Sequence, residues 1–251
     1  MRVISSVRDR KLIISHKNRY FSVSPYGKVT VTDTVENGVN VRLLLVNGTR
    51  ESATYLVPGL RNEPVFEYIR RILYMTEKME HRNRVLLIGG AGFSLPKKYI
   101  ATYPDGVMDV VEHNPEMVEL AKRYFFLDEL YEQFDLETTK RLNVYVDDGY
   151  RFLENTTETY DLIINDAYVG RVADRALSGA EGCALVYEHL RPGGTYLANV
   201  ITARTGSASM PGIMAEELLS RVFGKAAMIP VYPDYDADKS QNVIIRAEKE
   251  A

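Results

Sequence analysis

The sequence has a single cysteine, only four histidines and no tryptophan. Because Cys183 has no second cysteine to pair with, the chain cannot hold an internal disulfide or a cysteine-rich zinc or iron–sulfur centre. The histidines at 16, 81, 113 and 189 form no i,i+4 pair, so we expect no metal. One cysteine also fits a reducing cytoplasm, which is the location we expect.

Long hydrophobic runs and a dominant charge are also missing. The apolar run at 85–88 is far shorter than the roughly 18 residues that span a bilayer, and the first residues lack the apolar stretch of a secretory signal. Lys and Arg number 31 against 34 Asp and Glu, which gives a net charge of −3. We therefore expect no general attraction to nucleic acid or to a membrane surface.

The first 60 residues are rich in β-branched and aromatic residues separated by turn signals. The turns are indicated at 25–27, 36–38 and 47–48. Strands are predicted at 2–7, 12–15, 20–24, 28–34 and 40–46. The pattern predicts a small antiparallel β-domain over residues 1–60.

From residue 61 onwards the pattern becomes one of alternating helices and apolar strands. The predicted helices are 64–79, 95–102, 114–126, 149–155, 176–190 and 212–223. The predicted strands are 85–89, 107–112, 142–147, 161–165, 195–201, 225–232 and 242–247. Such alternation is typical of a mainly parallel sheet with helices on both faces, so we predict an α/β, Rossmann-like domain over 61–251.

A glycine-rich turn with Gly89, Gly90 and Gly92 follows the first strand of this domain. Glycines let the backbone approach a ligand, and the helix that follows contributes a partial positive charge. Leu95 breaks the GxGxxG/A pattern, which disfavours nicotinamide and flavin dinucleotides. A plain strand-to-helix turn is the alternative interpretation.

Acidic residues end the next strands. Glu112, which lies 20 positions after Gly92, suits the hydroxyls of a ribose, and the pair Asp147-Asp148 suits an adenine amino group. Asp166 is a candidate for removing the proton from an attacking amine. The proton must be removed because an alkylammonium, with a pKa of about 10, is a poor nucleophile. The alternative interpretation is that each of these acids has no ligand and is either a solvated residue at the end of a strand or a cap of the following loop. Together they predict an adenosine group at the carboxyl edge of the sheet.

The chain resembles the spermidine/spermine synthase family, the polyamine aminopropyltransferases of the class I S-adenosylmethionine-dependent methyltransferase-like superfamily. The resemblance spans residues 40–247 and is carried by segments such as RVLLIGGAGFSLPK, VMDVVEHNPEMVELAKRYF, VYVDDGYRFL and YDLIINDAY. It implies a methyltransferase-like fold, a homodimer or homotetramer, and a place in polyamine biosynthesis.

The resemblance also implies a role for each motif. It implies that Glu112 binds the ribose and that Asp148, with Asp147 beside it, binds the adenine. It also implies that residues 89–92 face the tail of the nucleoside. It makes Asp166 the catalytic acid that activates the amine. Two further residues, Asn165 in cofactor binding and Tyr68 in the active site, complete the predicted set.

Two positions depart from the family pattern. The family's GGGDG turn has an Asp that disfavours the carboxylate of intact S-adenosylmethionine, and here that position is Gly92. The family's second, diamine-binding acid is here Val169. We predict a transferase that binds an S-adenosylmethionine-type sulfonium, decarboxylated or intact, as its co-substrate and that transfers an aminopropyl group to a small amine. Methyl transfer and non-catalytic nucleoside binding are the alternatives.

Overall fold

The computed structural model describes residues 17–169, 172–173 and 177–251. The strands predicted at 2–7 and 12–15 lie outside these residues, as does the first position of the helix predicted at 176–190.

The N-terminal part is an antiparallel sheet of four strands in sequential order. The strands are β1 (Lys17–Ser24), β2 (Gly27–Glu36), β3 (Val39–Val46) and β4 (Thr49–Tyr55). Asn37-Gly38 and Asn47-Gly48 form the last two turns, and all four residues have positive φ angles. Two-residue turns of this kind match the twist of paired strands, which is why Asn-Gly predicts a hairpin. The strand β4 was not predicted, because its sequence TRESATY is largely polar.

The remainder alternates helices with strands. The helices are α1 (Glu67–Glu77), α2 (Ser94–Thr102), α3 (Pro115–Tyr124), α4 (Leu127–Gln133), α5 (Leu136–Thr139), α6 (Gly149–Asn155), α7 (Ala180–Glu188) and α8 (Met210–Phe223). The strands are β5 (Arg84–Ile88), β6 (Val107–Glu112), β7 (Leu142–Val146), β8 (Tyr160–Asn165), β9 (Tyr168–Val169), β10 (Val172–Ala173), β11 (Leu190–Thr202), β12 (Ala226–Pro230) and β13 (Gln241–Glu248). Short 3₁₀ turns occupy Pro58–Leu60 and Ser207–Ser209.

Seven of these strands form one sheet in the order β12-β13-β11-β8-β5-β6-β7. From β11 to β7 all neighbours are parallel, while β13 is antiparallel to both β11 and β12. The predicted α/β fold is therefore confirmed. The chain leaves β5 in one direction for β6 and later returns on the other side as β8, and open α/β sheets bind ligands at such a switch point.

Local sequence explains where α3 begins but not where α4 begins. The side chain of Asn114 accepts a hydrogen bond from the backbone N–H of Glu116 at 3.0 Å, and Pro115 occupies the first helical position. The helix α4 instead follows Phe126, which has a φ of 64° and no side-chain cap. The guanidinium of Arg61 lies 4.1 Å from the centre of the Phe126 ring, so tertiary packing supports this turn.

The N-terminal sheet packs directly against the α/β part. Apolar residues of β2 and β3 contact α3 and Phe125 in one buried cluster. The fully buried Lys97 of α2 donates hydrogen bonds from its Nζ to the hydroxyl of Thr54 at 2.9 Å and to the carbonyl of Phe125 at 2.8 Å. These contacts hold β4 against α2, beside the switch point of the large sheet.

Burial lowers the pKa of Lys97 to about 7, well below the roughly 10.4 of an exposed lysine. Between these values the folded protein binds fewer protons than the unfolded chain, so this lysine makes the free energy of unfolding rise with pH. In urea titrations between about pH 7.5 and 9.5, we expect Lys97→Met to remove a slope of up to about 1.4 kcal/mol per pH unit. If the free energy of unfolding depends on pH in the same way in wild type and in Lys97→Met, the lowered pKa of Lys97 is contradicted.

Candidate active site

A cavity of about 780 Å³ lies between the N-terminal sheet and the carboxyl ends of β5 to β8. A volume of this size suits a nucleoside-sized ligand. The predicted residues that line it are Tyr68, Gly89, Glu112, Asp147, Asp148 and Asp166. The other predicted residues, Gly90, Gly92 and Asn165, are buried behind the lining.

The buried carboxylate of Glu112 holds the glycine turn in place. Its Oε2 accepts hydrogen bonds from the backbone N–H groups of Gly90 at 2.9 Å and Ala91 at 2.8 Å, and its Oε1 accepts one from Asn114 at 2.9 Å. A carboxylate has about four acceptor positions. Three are used inside the protein, so Glu112 has about one left for a ligand.

Two glycines of this turn allow close contacts that a side chain would prevent. Gly89 has a φ of 94°, and a Cβ there would lie 2.6 Å from the carbonyl oxygen of Asp166. A Cβ on Gly92 would lie 2.5 Å from the hydroxyl of Ser52 on β4. The first glycine thus brings the ends of β5 and β8 together, and the second makes room for the N-terminal sheet. An aspartate at position 92 has no space in this arrangement.

The two acids after β7 are partly used in local contacts. Asp148 caps α6, because its Oδ1 accepts a hydrogen bond from the backbone N–H of Arg151 at 3.0 Å. Asp147 accepts hydrogen bonds from the Nε of Arg151 at 2.6 Å and from the Asp148 N–H at 2.7 Å. The hydrogen bond from Arg151 lowers the pKa of Asp147, so this carboxylate stays ionised at the cavity wall.

Asp166 is held from two sides at the opposite end of the cavity. Its Oδ2 accepts a hydrogen bond from the Tyr68 hydroxyl at 2.9 Å, and its Oδ1 accepts one from the Nδ2 of Asn199 at 2.7 Å. Burial raises the pKa of Asp166 to about 6, against the lowering effect of the two hydrogen bonds. An acid with this pKa is ionised at pH 7 and more basic than an ordinary aspartate. Tyr68 and Asp166, 98 positions apart in the sequence, are thus direct partners.

The sequence interpretation missed Asn199, which orients Asp166 from β11. The Oδ1 of Asn199 accepts a hydrogen bond from the Nδ2 of Asn242 on β13 at 3.0 Å, which fixes the amide with its Nδ2 towards Asp166. The signal in the sequence was a polar residue inside the apolar strand Leu190–Thr202, where Asn199 is only 6% exposed.

Asn165 uses both of its polar atoms within the protein. Its Nδ2 donates to the Tyr196 hydroxyl at 3.0 Å, and its Oδ1 accepts from the backbone N–H of Ala167 at 3.1 Å. These hydrogen bonds fix the backbone on both sides of the catalytic candidate. The geometry gives Asn165 a supporting place behind the cavity wall.

Glu51 on β4 is a second residue that the sequence interpretation missed. It lines the same cavity and is half-buried. Burial, together with the smaller effect of the neighbouring charges of Asp166 and Glu112, raises the pKa of Glu51 to about 7. The side chain of Val169, at the family's second-acid position, lies outside the described residues.

The described residues contain neither a cluster of metal ligands nor a membrane-spanning helix. Within them, no group of three or more His, Cys, Asp or Glu side chains is arranged to hold a metal ion. None of the helices in the described part of the chain has the length and apolarity required to span a membrane.

Comparison with solved structures agrees with the observed fold. A probable spermidine synthase from Corynebacterium glutamicum superposes with a TM-score of 0.67 at 21% identity, covering 94% of this chain and 80% of that one. A spermidine synthase in complex with the transition-state analogue AdoDATO superposes with a TM-score of 0.69 at 17% identity, covering 92% and 73%. At these identities the likeness shows a shared fold.

Sequence comparison identifies the family. A polyamine aminopropyltransferase from Streptococcus uberis is 36% identical over 165 residues, which cover 65% of this chain and 52% of that protein. The chain thus spans about half the length of this curated relative. The family model for the spermine/spermidine synthase domain matches residues 65–233, two thirds of the chain. The chain therefore belongs to the spermine/spermidine synthase family.

Proposed function

We propose that the protein transfers an aminopropyl group from decarboxylated S-adenosylmethionine to a small amine. The observation that carries this proposal is the carboxylate of Asp166, held by Tyr68 and Asn199 at a cavity whose other end has Glu112 and Asp148. Membership of the family supports the reaction class.

In the proposed reaction, the amine nitrogen attacks the aminopropyl carbon bonded to the sulfonium. A C–N bond forms as the C–S bond breaks, and the bonding electrons pass to sulfur, which leaves as the neutral thioether methylthioadenosine. The amine proton goes to the carboxylate of Asp166. The raised pKa of about 6 makes this aspartate a better base, and the enzyme's main contributions are orientation and proton removal.

The adenosine end of the co-substrate is proposed to lie along the glycine turn. Glu112 has about one acceptor position left for a ribose hydroxyl, and Asp148 faces the adenine side with the oxygen that does not cap α6. Gly89 and the carboxylates of Asp147 and Glu112 line this part of the cavity. Gly90, Gly92 and Asn165 support the binding site from behind.

Methyl transfer from intact S-adenosylmethionine is the second candidate. The absence of an acid at Gly92 favours it, because the family's aspartate at that position disfavours the carboxylate of the intact compound. Product analysis separates the two reactions, since methylthioadenosine forms by aminopropyl transfer and adenosylhomocysteine by methyl transfer.

Three broader expectations are also part of the proposal. We propose that residues 1–60 form one domain and 61–251 the catalytic domain. A homodimer or homotetramer, and a place in polyamine biosynthesis in the cytoplasm, remain predictions from the family resemblance and from the cysteine count.

Asp166→Asn tests the proposed base. The amide cannot accept the amine proton, so we expect the rate of methylthioadenosine release to fall by about 10²- to 10⁴-fold. Binding of methylthioadenosine, measured as the ligand-induced rise in melting temperature, should persist because the adenosine contacts are unchanged. Turnover that survives in this variant would exclude Asp166 as the base.

Glu112→Gln tests the hydrogen bonds by which Glu112 holds the glycine turn at the proposed ribose site. The amide replaces one acceptor oxygen with N–H donors, so at least one backbone N–H of the turn loses its partner. We expect the ligand-free protein to lose about 1–3 kcal/mol of unfolding free energy in urea and to bind methylthioadenosine more weakly. The control Glu119→Gln makes the same charge change at a side chain that is 76% exposed, and we expect it to stay within about 0.5 kcal/mol of wild type. Unchanged affinity in Glu112→Gln would reject the ribose assignment.

A further inference from the structure

Glu51 is the extra residue of a β-bulge. Along the β3–β4 pair, Leu44 faces Ser52 and the next residue, Leu45, faces Arg50, so Glu51 has no partner on β3. A bulge redirects a side chain away from the regular alternation of a strand, and bulges are frequent next to active sites. Here the bulge coincides with a carboxylate that the N-terminal sheet contributes to the cavity lining and that interacts electrostatically with Asp166.

One carboxylate oxygen of Glu51 is buried without a partner. Among the described residues, the Oε1 of Glu51 makes no hydrogen bond although it is shielded from solvent. A buried acceptor of this kind costs free energy unless a ligand satisfies it. This oxygen is therefore available to interact with a ligand that enters the cavity.

No cation of the described chain neutralises Glu51. The two arginines of the cavity lining have other partners: Arg50 pairs with Glu36 at 2.7 Å, and Arg70 pairs with Glu67 at 3.1 Å. The charges that act on Glu51 are those of Asp166 and Glu112, which have the same sign. A positive ligand group placed among these three carboxylates would remove their mutual repulsion.

We propose that Glu51 is a specificity residue that makes the cavity select its adenosyl ligand by charge, holding the cationic sulfonium form and releasing the neutral thioether. The inference rests on the proposed function, which places the sulfonium between the ribose at Glu112 and the reactive carbon at Asp166. When the C–S bond breaks, the sulfur loses its positive charge. The attraction to Glu51 is then lost, so the same residue that favours substrate binding favours product release.

The adenosyl ligands form a charge series that isolates this effect. Decarboxylated S-adenosylmethionine has a sulfonium and an ammonium, the intact compound adds a carboxylate, and methylthioadenosine has none of these charges. If Glu51 selects by charge, its removal weakens binding most for the decarboxylated compound, less for the intact one and least for the thioether. A residue that only shapes the cavity would weaken all three alike.

The test is isothermal titration of the three ligands into wild type and Glu51→Gln, at one pH unit above the Glu51 pKa of about 7. Glutamine preserves the size of the side chain and removes its charge. We expect the affinity for decarboxylated S-adenosylmethionine to fall by about tenfold or more and that for methylthioadenosine to change by less than about threefold. The variant Glu51→Asp, which retains the charge, should keep most of the preference for the cation.

The matched control is Glu119→Gln, which makes the same charge change at a residue outside the cavity lining. Glu119 lies on α3 and its side chain is 76% exposed, so we expect all three affinities to stay within about twofold of wild type. Equal weakening of all ligands by Glu51→Gln, or no change for any of them, would overturn the role of Glu51. If wild type binds none of the three ligands, the proposed function itself fails.

Discussion

The contact between the backbone at Gly89 and the backbone at Asp166 is the constraint on which the rest of the site depends. The Asp166 N–H donates to the carbonyl of Ile88 at 2.8 Å, and a Cβ on Gly89 would lie 2.6 Å from the Asp166 carbonyl oxygen. The ends of β5 and β8 can therefore meet only if residue 89 is glycine. Through this contact, the turn that Glu112 holds and the strand that ends at Asp166 form one rigid edge around the cavity.

The N-terminal sheet completes the site instead of merely preceding it. Ser52 of β4 fills the space beside Gly92, and the adjacent bulge turns Glu51 into the cavity. Lys97 fastens the same strand to α2 by hydrogen bonds to Thr54 and to Phe125. The position that the family fills with an aspartate is thus closed in this chain, while a different strand supplies a carboxylate nearby.

Features with a local cause were predictable from the sequence. Asn114-Pro115 specifies the start of α3, the Asn-Gly pairs specify turns, and strand-end acids specify the edge where Glu112 and Asp166 lie.

Features that depend on contacts between distant parts of the chain were not predictable from the sequence. The helix α4 begins at a left-handed Phe126 beneath Arg61, β4 is a polar strand held by its neighbours, and Glu51 reaches the cavity only because of a bulge. The partnership of Asn199 with Asp166 likewise follows from strand order, which no single segment reveals.

A crystal structure of the complex with methylthioadenosine would show whether the cavity holds an adenosyl ligand between Glu112 and Asp166. We expect a ribose hydroxyl within about 3.2 Å of the Glu112 Oε1, the adenine towards Asp148, and the thioether sulfur in the space between Glu112 and Asp166. A ligand bound outside this cavity, or one whose sulfur points away from Asp166, would contradict this expectation.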